Sequence, residues 1–506
     1  MSSMDSAQEL PSRPIRLYLH GQLQQIHDLP PDLSLLQYLR RHADSCGSKE
    51  GCAEGDCGAC TVLVTRFAQG ELKTASVNAC MQYLGALDGC AVWTVEDLAQ
   101  GGQLHPAQQA ILDCHGSQCG FCTPGFAVSL ADLQLRCAKP QRAQVVEALS
   151  GNLCRCTGYK PLIEAGLKMQ DYTPQTIFDP ATLTPQLAAL HDAQGASHSH
   201  PRCTLFAPRS VEQALRLRAA HPDACVLAGG TDVGIWLNKQ LRQLPQLLYL
   251  GKIDALQEIH STEHELHIGA MCDLNRFWLS MRQHWPQLEE YHQRFASHPV
   301  RNAGSIGGNL ANGSPIGDAM PLLIALGARI ELGRLQDGRI ALRQLALEDF
   351  YLGYQRKDLG ADELLLRILL PLPDGQARAL FVWKIAKRFD QDISSVAAAI
   401  HLHFAPEADG QRRIHSARIA FGGMAATPKR ARATEQALQG RWWDEAALAQ
   451  AQAALTQDFQ PLDDLRASAA HRMRCARNLL HKAYLQSGAG LPAAACELSA
   501  ASAEAV

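Results

Sequence analysis

The sequence offers no apolar run long enough to cross a bilayer, and its first residues, MSSMDSAQEL, are polar and acidic where a secretory leader would be basic and then apolar. A cytoplasmic protein is therefore expected. Neither sign of charge is in excess. The 47 Lys and Arg stand against 50 Asp and Glu, a net −3, which gives no electrostatic reason to expect nucleic acid or an anionic membrane as partner. There is no internal repeat, which argues against a solenoid. No G-x-G-x-x-G followed by an acidic residue occurs where a Rossmann dinucleotide site would need it. What remains is a chain of 506 residues and 46% apolar content, enough for three or four domains, each with its own core.

Cysteine, by contrast, is abundant. Seventeen in a chain with no sign of export fit metal ligands better than disulfides. Residues 51–61 read GCAEGDCGACT and place Cys52, Cys57 and Cys60 at C-x4-C-x2-C spacing, with Cys80 following in VNAC. Three thiolates on one tight loop and a fourth from elsewhere is the plant-type 2Fe–2S pattern. The glycines fit it, because a loop folded round a small cluster needs positive φ and N–H groups aimed at the sulfides. Structural zinc more often uses two short hooks, so a zinc scaffold is the alternative of another class. Around this loop, residues 15–26 alternate as a hairpin turning at His20-Gly21, Ser34 caps a helix through Leu39, and strands are expected at 61–65 and 91–95. Together they predict a β-grasp sheet with one helix.

From His105 the period is helical. Helices are expected at 108–113, 125–135, 141–150 and 160–169, with Thr123 as cap and Pro124 at the first position of the second, a small four-helix bundle. At their ends lie Cys119 and Cys122 (QCGFCTPG) and Cys154 and Cys156 (GNLCRCTGY). C-x2-C alone has several meanings; paired with a distant C-x-C it favours a second 2Fe–2S cluster. The remaining cysteines, Cys46, Cys90, Cys114, Cys137, Cys203, Cys225, Cys272, Cys475 and Cys496, read as small buried hydrophobes, with Cys46 alone kept as a spare ligand.

Residues 171–203 read as a surface linker, weak in periodicity and rich in Pro, Gln, Ala and His. A new domain then starts near Thr204. A strand at 225–228 runs into Gly229-Gly230-Thr231-Asp232 and a helix, and residues 301–312 read RNAGSIGGNLAN, with Asp318 as cap of a helix over 319–326. The backbone N–H groups of both glycine segments are expected to cradle a pyrophosphate jointly. Strands at 381–384, 394–403 and 414–421 and helices at 445–455 and 465–485 follow, before a small-residue tail from Ser487 that is expected to be disordered.

Taken in this order, GCAEGDCGACT, QCGFCTPG, GNLCRCTGY, AGGTD and AGSIGGNLANGSPIGD resemble the iron–sulfur/FAD chains of the bacterial xanthine dehydrogenase family of molybdenum hydroxylases, over roughly residues 14–485. The resemblance implies an α+β multidomain fold: a β-grasp 2Fe–2S ferredoxin domain (14–98), a four-helix 2Fe–2S bundle (99–170), the linker, an FAD-binding α+β domain of vanillyl-alcohol-oxidase type (204–376) and a C-terminal α+β flavoprotein cap domain (377–487), then the tail (488–506). It implies FAD lined by Leu227, Ala228, Gly229, Gly230, Thr231, Asp232 and Val233, and by Gly304, Ser305, Ile306, Gly307, Gly308 and Asn309. Phe295, Asp318, Leu365 and Lys384 would also contact it, and Arg388, Asp390 and Asp392 would lie on a loop near the flavin ring. A molybdopterin-binding large chain is the implied partner, two copies of each forming a heterotetramer, with NAD⁺ taking the electrons released when that partner oxidises hypoxanthine or xanthine. No residue of this chain beyond the flavin site is then expected to be catalytic. The alternative within the same class is a subunit serving an aldehyde or N-heterocycle hydroxylase.

Overall fold

The computed structural model describes residues 10–405 and 412–487. The first hairpin forms as expected: β1 (Ile15–Leu19) pairs antiparallel with β2 (Gln22–Ile26), turning through His20 and Gly21 at φ 52° and 71°. Ser34 caps α1 (Leu35–His42) by accepting the Gln37 N–H at 3.2 Å. Strands β3 (Thr61–Ala68), β4 (Glu71–Asn78) and β5 (Cys90–Trp93) complete a mixed sheet of order β2-β1-β5-β3-β4, in which β1 and β5 run parallel. The strand expected at 91–95 ends at Trp93 because Thr94 and Asp97 close a capping box on the next turn. Val62, Leu63 and Val64 are all buried because both sheet faces are covered, one by Leu35 and Leu39 of α1, the other by Phe126 and Leu130 of the helical region.

The helical region is α2 (Pro106–Asp113), α3 (Thr123–Arg136), α4 (Arg142–Leu149) and α5 (Lys160–Lys168). Thr123 is not the cap of α3. Cys122 holds that position with backbone already near helical, so Thr123 falls inside the first turn and its hydroxyl meets Ser117 at 2.7 Å. Residues 171–203 are not a bare linker either. Asp179 caps α6 (Pro180–Leu190), which sends Leu183 and Leu187 into the helical core, and β6 (Ala196–His200) opens the next sheet. Pro180 opens this helix as a first-turn proline, and the polar residues between its leucines mask the period.

The third region has two sheets. The first, order β6-β7-β9-β8, combines β7 (Cys203–Ala207), α7 (Val211–Ala220), β8 (Cys225–Leu227), α8 (Val233–Asn238) and β9 (Gln246–Tyr249). The second begins with β10 (Ile259–Ser261) and β11 (Glu265–Gly269), then leaves the sheet for α9 (Leu274–His284), α10 (Glu289–Gln293), α11 (His298–Ala303), α12 (Ile306–Asn312) and α13 (Ala319–Ala325). It returns through β12 (Arg329–Gln336), β13 (Arg339–Ala346), α14 (Leu347–Phe350), the ribbon β14 (Tyr351–Gly353) and β15 (Arg356–Lys357), and β16 (Leu364–Pro371), giving the order β10-β11-β16-β12-β13.

The last region is an antiparallel sheet, β17 (Arg378–Ile385), β18 (Val396–Phe404), β19 (Ile414–Gly422) and β20 (Lys429–Arg430), backed by α15 (Arg432–Leu438), α16 (Glu445–Asp458) and α17 (Ala469–Ser487). Helix α17 starts four residues after the expected 465, since Leu465 is exposed and Asp463 accepts the Ala469 N–H. The tail 488–506, with Cys496, lies outside the described residues. Among those described, no helix is long and apolar enough to cross a membrane.

Candidate cofactor sites

The loop between α1 and β3 brings Cys52, Cys57 and Cys60 to Cys80, which sits just past β4; Cys60 and Cys80 are each 2% exposed. Ala53, Gly55 and Gly58 have φ of 55°, 82° and 67°, so the backbone curls as the glycine content predicted. That curl aims the N–H groups of Glu54, Asp56 and Cys57 at Cys52 Sγ, at 3.5, 3.3 and 3.3 Å. Hydrogen bonds from the Cys57 and Cys80 thiols and from this backbone hold the Cys52 thiol well below its ordinary pKa. Cys46 stays outside, its thiol turned to the Arg40 carbonyl, so the structure gives no support to its use as a spare ligand.

Cys119 and Cys122 precede α3, and Cys154 and Cys156 lie in the loop between α4 and α5; their thiols interact pairwise, Cys119 with Cys156 and Cys122 with Cys154. Burial opposes ionisation of Cys154, but the Thr157 hydroxyl at 3.1 Å and the N–H groups of Thr157 and Cys156 outweigh it. Burial pushes Cys122 up to about 12.

The two cysteine loops touch. Leu153 donates its N–H to the Cys57 carbonyl at 2.9 Å, and Asn152 Nδ2 donates to Gly58 O at 3.0 Å. Glycine makes the approach possible: a Cβ on Gly58 would stand 2.2 Å from Gly151 O, and one on Gly125 2.1 Å from Gly58 O. Asn152 stands in the GNLCRCTGY stretch, but the cysteine spacing that singles that stretch out assigns it no role.

The two glycine segments also meet. A Cβ on Gly229 would lie 1.7 Å from Ala303 O, and one on Gly308 3.5 Å from Ala228 Cβ, so residues 227–233 and 304–309 face each other across the start of α12. Their donors are not shared as expected. In the second segment the N–H groups of Ile306, Gly307, Gly308 and Asn309 are already taken, by Cys272 O, Ala270 O, Ser305 Oγ and Ser305 O. Among the described residues, no acceptor takes the N–H groups of residues 229–233, so the first turn carries the free donors for an anion. The second segment adds one side chain, Asn309, whose buried Oδ1 has no partner. A cavity of about 150 Å³ borders residues 227–230, is lined on its other side by β3 and β4, and does not include residues 304–309, Asp318 or Lys384.

Phe295 and Leu365 pack in one core with Ile306 and Leu310 of α12. Asp318 stands at the start of α13 but makes no cap. Its carboxylate instead binds Lys384 Nζ at 2.8 Å and Ser394 Oγ at 2.6 Å, and Lys384 also donates to Arg294 O at 3.2 Å. The charged loop after β17 is closed by Asp392, which accepts the Arg388 N–H at 2.9 Å and pairs with its guanidinium at 3.3 Å. Burial raises the carboxyl pKa of Asp390, and the Arg294 charge opposes this only in part.

Four protein families match the chain in series. Residues 17–84 match the 2Fe-2S iron-sulfur cluster binding domain, 94–167 the 2Fe-2S binding domain, 201–373 the FAD binding domain in molybdopterin dehydrogenase, and 381–487 the CO dehydrogenase flavoprotein C-terminal domain. The chain belongs to the molybdenum hydroxylase family, as an iron–sulfur/FAD chain. Among its molybdenum hydroxylase relatives, the xanthine dehydrogenase of Drosophila subobscura is 33% identical over 90% of this chain, and that of Emericella nidulans 31% over 88%. The chain spans 38% and 36% of those two proteins, about a third of their length. Of solved structures, a chain of carbon monoxide dehydrogenase from Hydrogenophaga pseudoflava is 27% identical, with a TM-score of 0.52, 57% of this chain and 98% of that one being covered. A carbon monoxide dehydrogenase chain from Oligotropha carboxidovorans is 28% identical at a TM-score of 0.50, covering 56% and 96%.

Proposed function

We propose that this chain is the electron-transfer part of a cytoplasmic xanthine dehydrogenase, carrying electrons from a molybdenum-containing partner through two 2Fe–2S clusters and FAD to NAD⁺. The observation that carries this reading is serial contact. The Cys119/Cys122/Cys154/Cys156 set adjoins the Cys52/Cys57/Cys60/Cys80 set through one backbone hydrogen bond, and the latter loop rests on α8, which starts at the Gly229–Gly230 turn. Each set would ligate one cluster; clusters pass single electrons and flavin converts them to the two of a hydride. The free N–H groups of residues 229–233 and the orphaned Asn309 Oδ1 fit the pyrophosphate and its neighbours, with Phe295, Leu365 and the Asp318–Lys384 pair behind them.

The far end of the series supports the choice of partner. Cys119 and Cys156 are exposed, beside Phe121 and Leu153, which are 46% and 48% exposed. An apolar rim around an accessible ligand pair suits docking of the molybdopterin chain there, two copies of each making the heterotetramer. Purine specificity rests on the identities with xanthine dehydrogenases; the structural likeness to carbon monoxide dehydrogenase chains keeps a different molybdenum partner as the second reading.

Expressed with its cofactors, the chain is expected to oxidise NADH with an artificial acceptor and to leave xanthine untouched. Adding the molybdenum partner is expected to give xanthine-dependent NAD⁺ reduction, and Cys119→Ser to abolish that while sparing NADH oxidation. Xanthine turnover by the chain alone would defeat the reading.

A further inference from the structure

The joint between the plant-type cysteine loop and the flavin region turns on one amide. Asn238 is the last residue of α8, and its Nδ2 donates to two carbonyls of the other region: Cys80 O at 2.8 Å and Ala53 O at 3.1 Å. Those carbonyls belong to a cysteine of the set and to the residue following another, Cys52. The amide's orientation is dictated by its partners, since the flipped rotamer would set Oδ1 against two carbonyl oxygens. Ala53 has φ 55°, a strained position for a residue with a Cβ, and this hydrogen bond helps fix it. Lys239 and Glu54, 3.9 Å apart, lie at the same joint, but both are too exposed to hold it.

Resting on the cluster assignment proposed above, we infer that Asn238 is a positioning residue for the plant-type cluster: it clamps the Cys52–Cys80 site to α8 and raises that cluster's reduction potential. The physical argument is electrostatic. A cluster held by Cys52 and Cys80 would gain negative charge on reduction close to the carbonyls of Ala53 and Cys80, and the negative end of each carbonyl dipole would oppose that gain. Two N–H donors neutralise those ends, and in a half-buried joint between two regions water replaces them poorly. Partners of this kind, one step beyond the ligands, orient a metal site and tune it. Helix α8 spans about 9 Å, so the clamp also fixes the distance between the cysteine loop and the glycine turn at the helix's other end.

The test is an EPR-monitored redox titration of the full chain carrying both clusters and FAD. Asn238→Leu removes the donors at similar volume, and Asn238→Asp removes them and adds a charge. Both are expected to shift one cluster's midpoint to lower potential, Asp further than Leu, while the other cluster and the flavin titrate as in the parent. Selective loss of one cluster's iron, with the other cluster and FAD retained, would also support the clamp. Parent-like potentials in both variants would overturn it, and so would loss of every cofactor from both, which would mark a general folding contact. A parent chain lacking two distinguishable cluster signals would instead overturn the cluster assignment itself.

Discussion

At the scale of single residues, what separates the important glycines is the atom their missing side chain would hit. At Gly229 that atom is a backbone oxygen, Ala303 O at 1.7 Å, which cannot rotate away; at Gly308 it is Ser305 Oγ at 2.9 Å, a side chain that can. Gly229→Ala is therefore expected to part the two glycine segments and release FAD, leaving both clusters bound, while Gly308→Ala weakens flavin binding less. Flavin absorbance against iron content, about four atoms per chain for two clusters, measures both. Nor does Gly308 owe its place to a left-handed backbone; among these residues only Gly230, at φ 77°, does. The cysteine sets were legible in the sequence because ligand spacing is local. Asn152 and Asn238 were not, because their partners lie 94, 158 and 185 residues away and no short pattern marks a polar side chain whose acceptor is in another region.

At the scale of elements, α2 begins on a titratable cap. His105 is 2% exposed and accepts the Ala107 N–H at 3.2 Å through Nδ1, which it can do only when that nitrogen carries no proton. Burial lowers its pKa to about 4. The unfolded chain, titrating near 6.5, thus binds more protons than the folded one between these values, and stability falls as pH drops through that window. The loss is on the order of 3 kcal/mol from this group. His292 and His401, held by burial to about 3 and 4, act in the same direction. Thermal melting from pH 7 to 4.5 is expected to show the decline, and His105→Asn, which keeps a cap without a titrating ring, to make it shallower. Elements with strong local signals, such as the first hairpin, α1 and α8, could be read from sequence. Strand β4 was missed because its half-buried first residues show no alternation, and α6 because its prolines resemble linker.

For the whole molecule, the six residues of α11 carry more than their length suggests. His298 meets Asp132 of α3 at 3.3 Å, Asn302 donates to Ser76 O of β4 at 2.8 Å, and Ala303 abuts Gly229. Arg301, fully buried, binds Glu147 of α4 at 2.7 Å, and Phe295 O and Ala296 O at 3.0 and 2.7 Å. Removing one partner strands the other, so Glu147→Gln is expected to cost about 2 kcal/mol and Arg301→Ala about 3–5 kcal/mol. Calorimetry checks both, and the helical region should separate from the rest earlier in Arg301→Ala. That docking was beyond sequence reasoning: RNAGSIGG announced a glycine turn, whereas the arginine before it answers to a glutamate 154 residues earlier.

The contact between the two cysteine loops also bears on inheritance. Gly58 and Gly125 each lack a side chain because the opposite segment occupies its space, a Cβ on either standing within 2.2 Å of a backbone oxygen across the contact. A gene that acquired the first cysteine segment without the second would inherit a surface carved for an absent neighbour, and a single mutation to alanine on either side would expel the other. A crossover between residues 61 and 118 is therefore expected to be tolerated only when it joins matched halves.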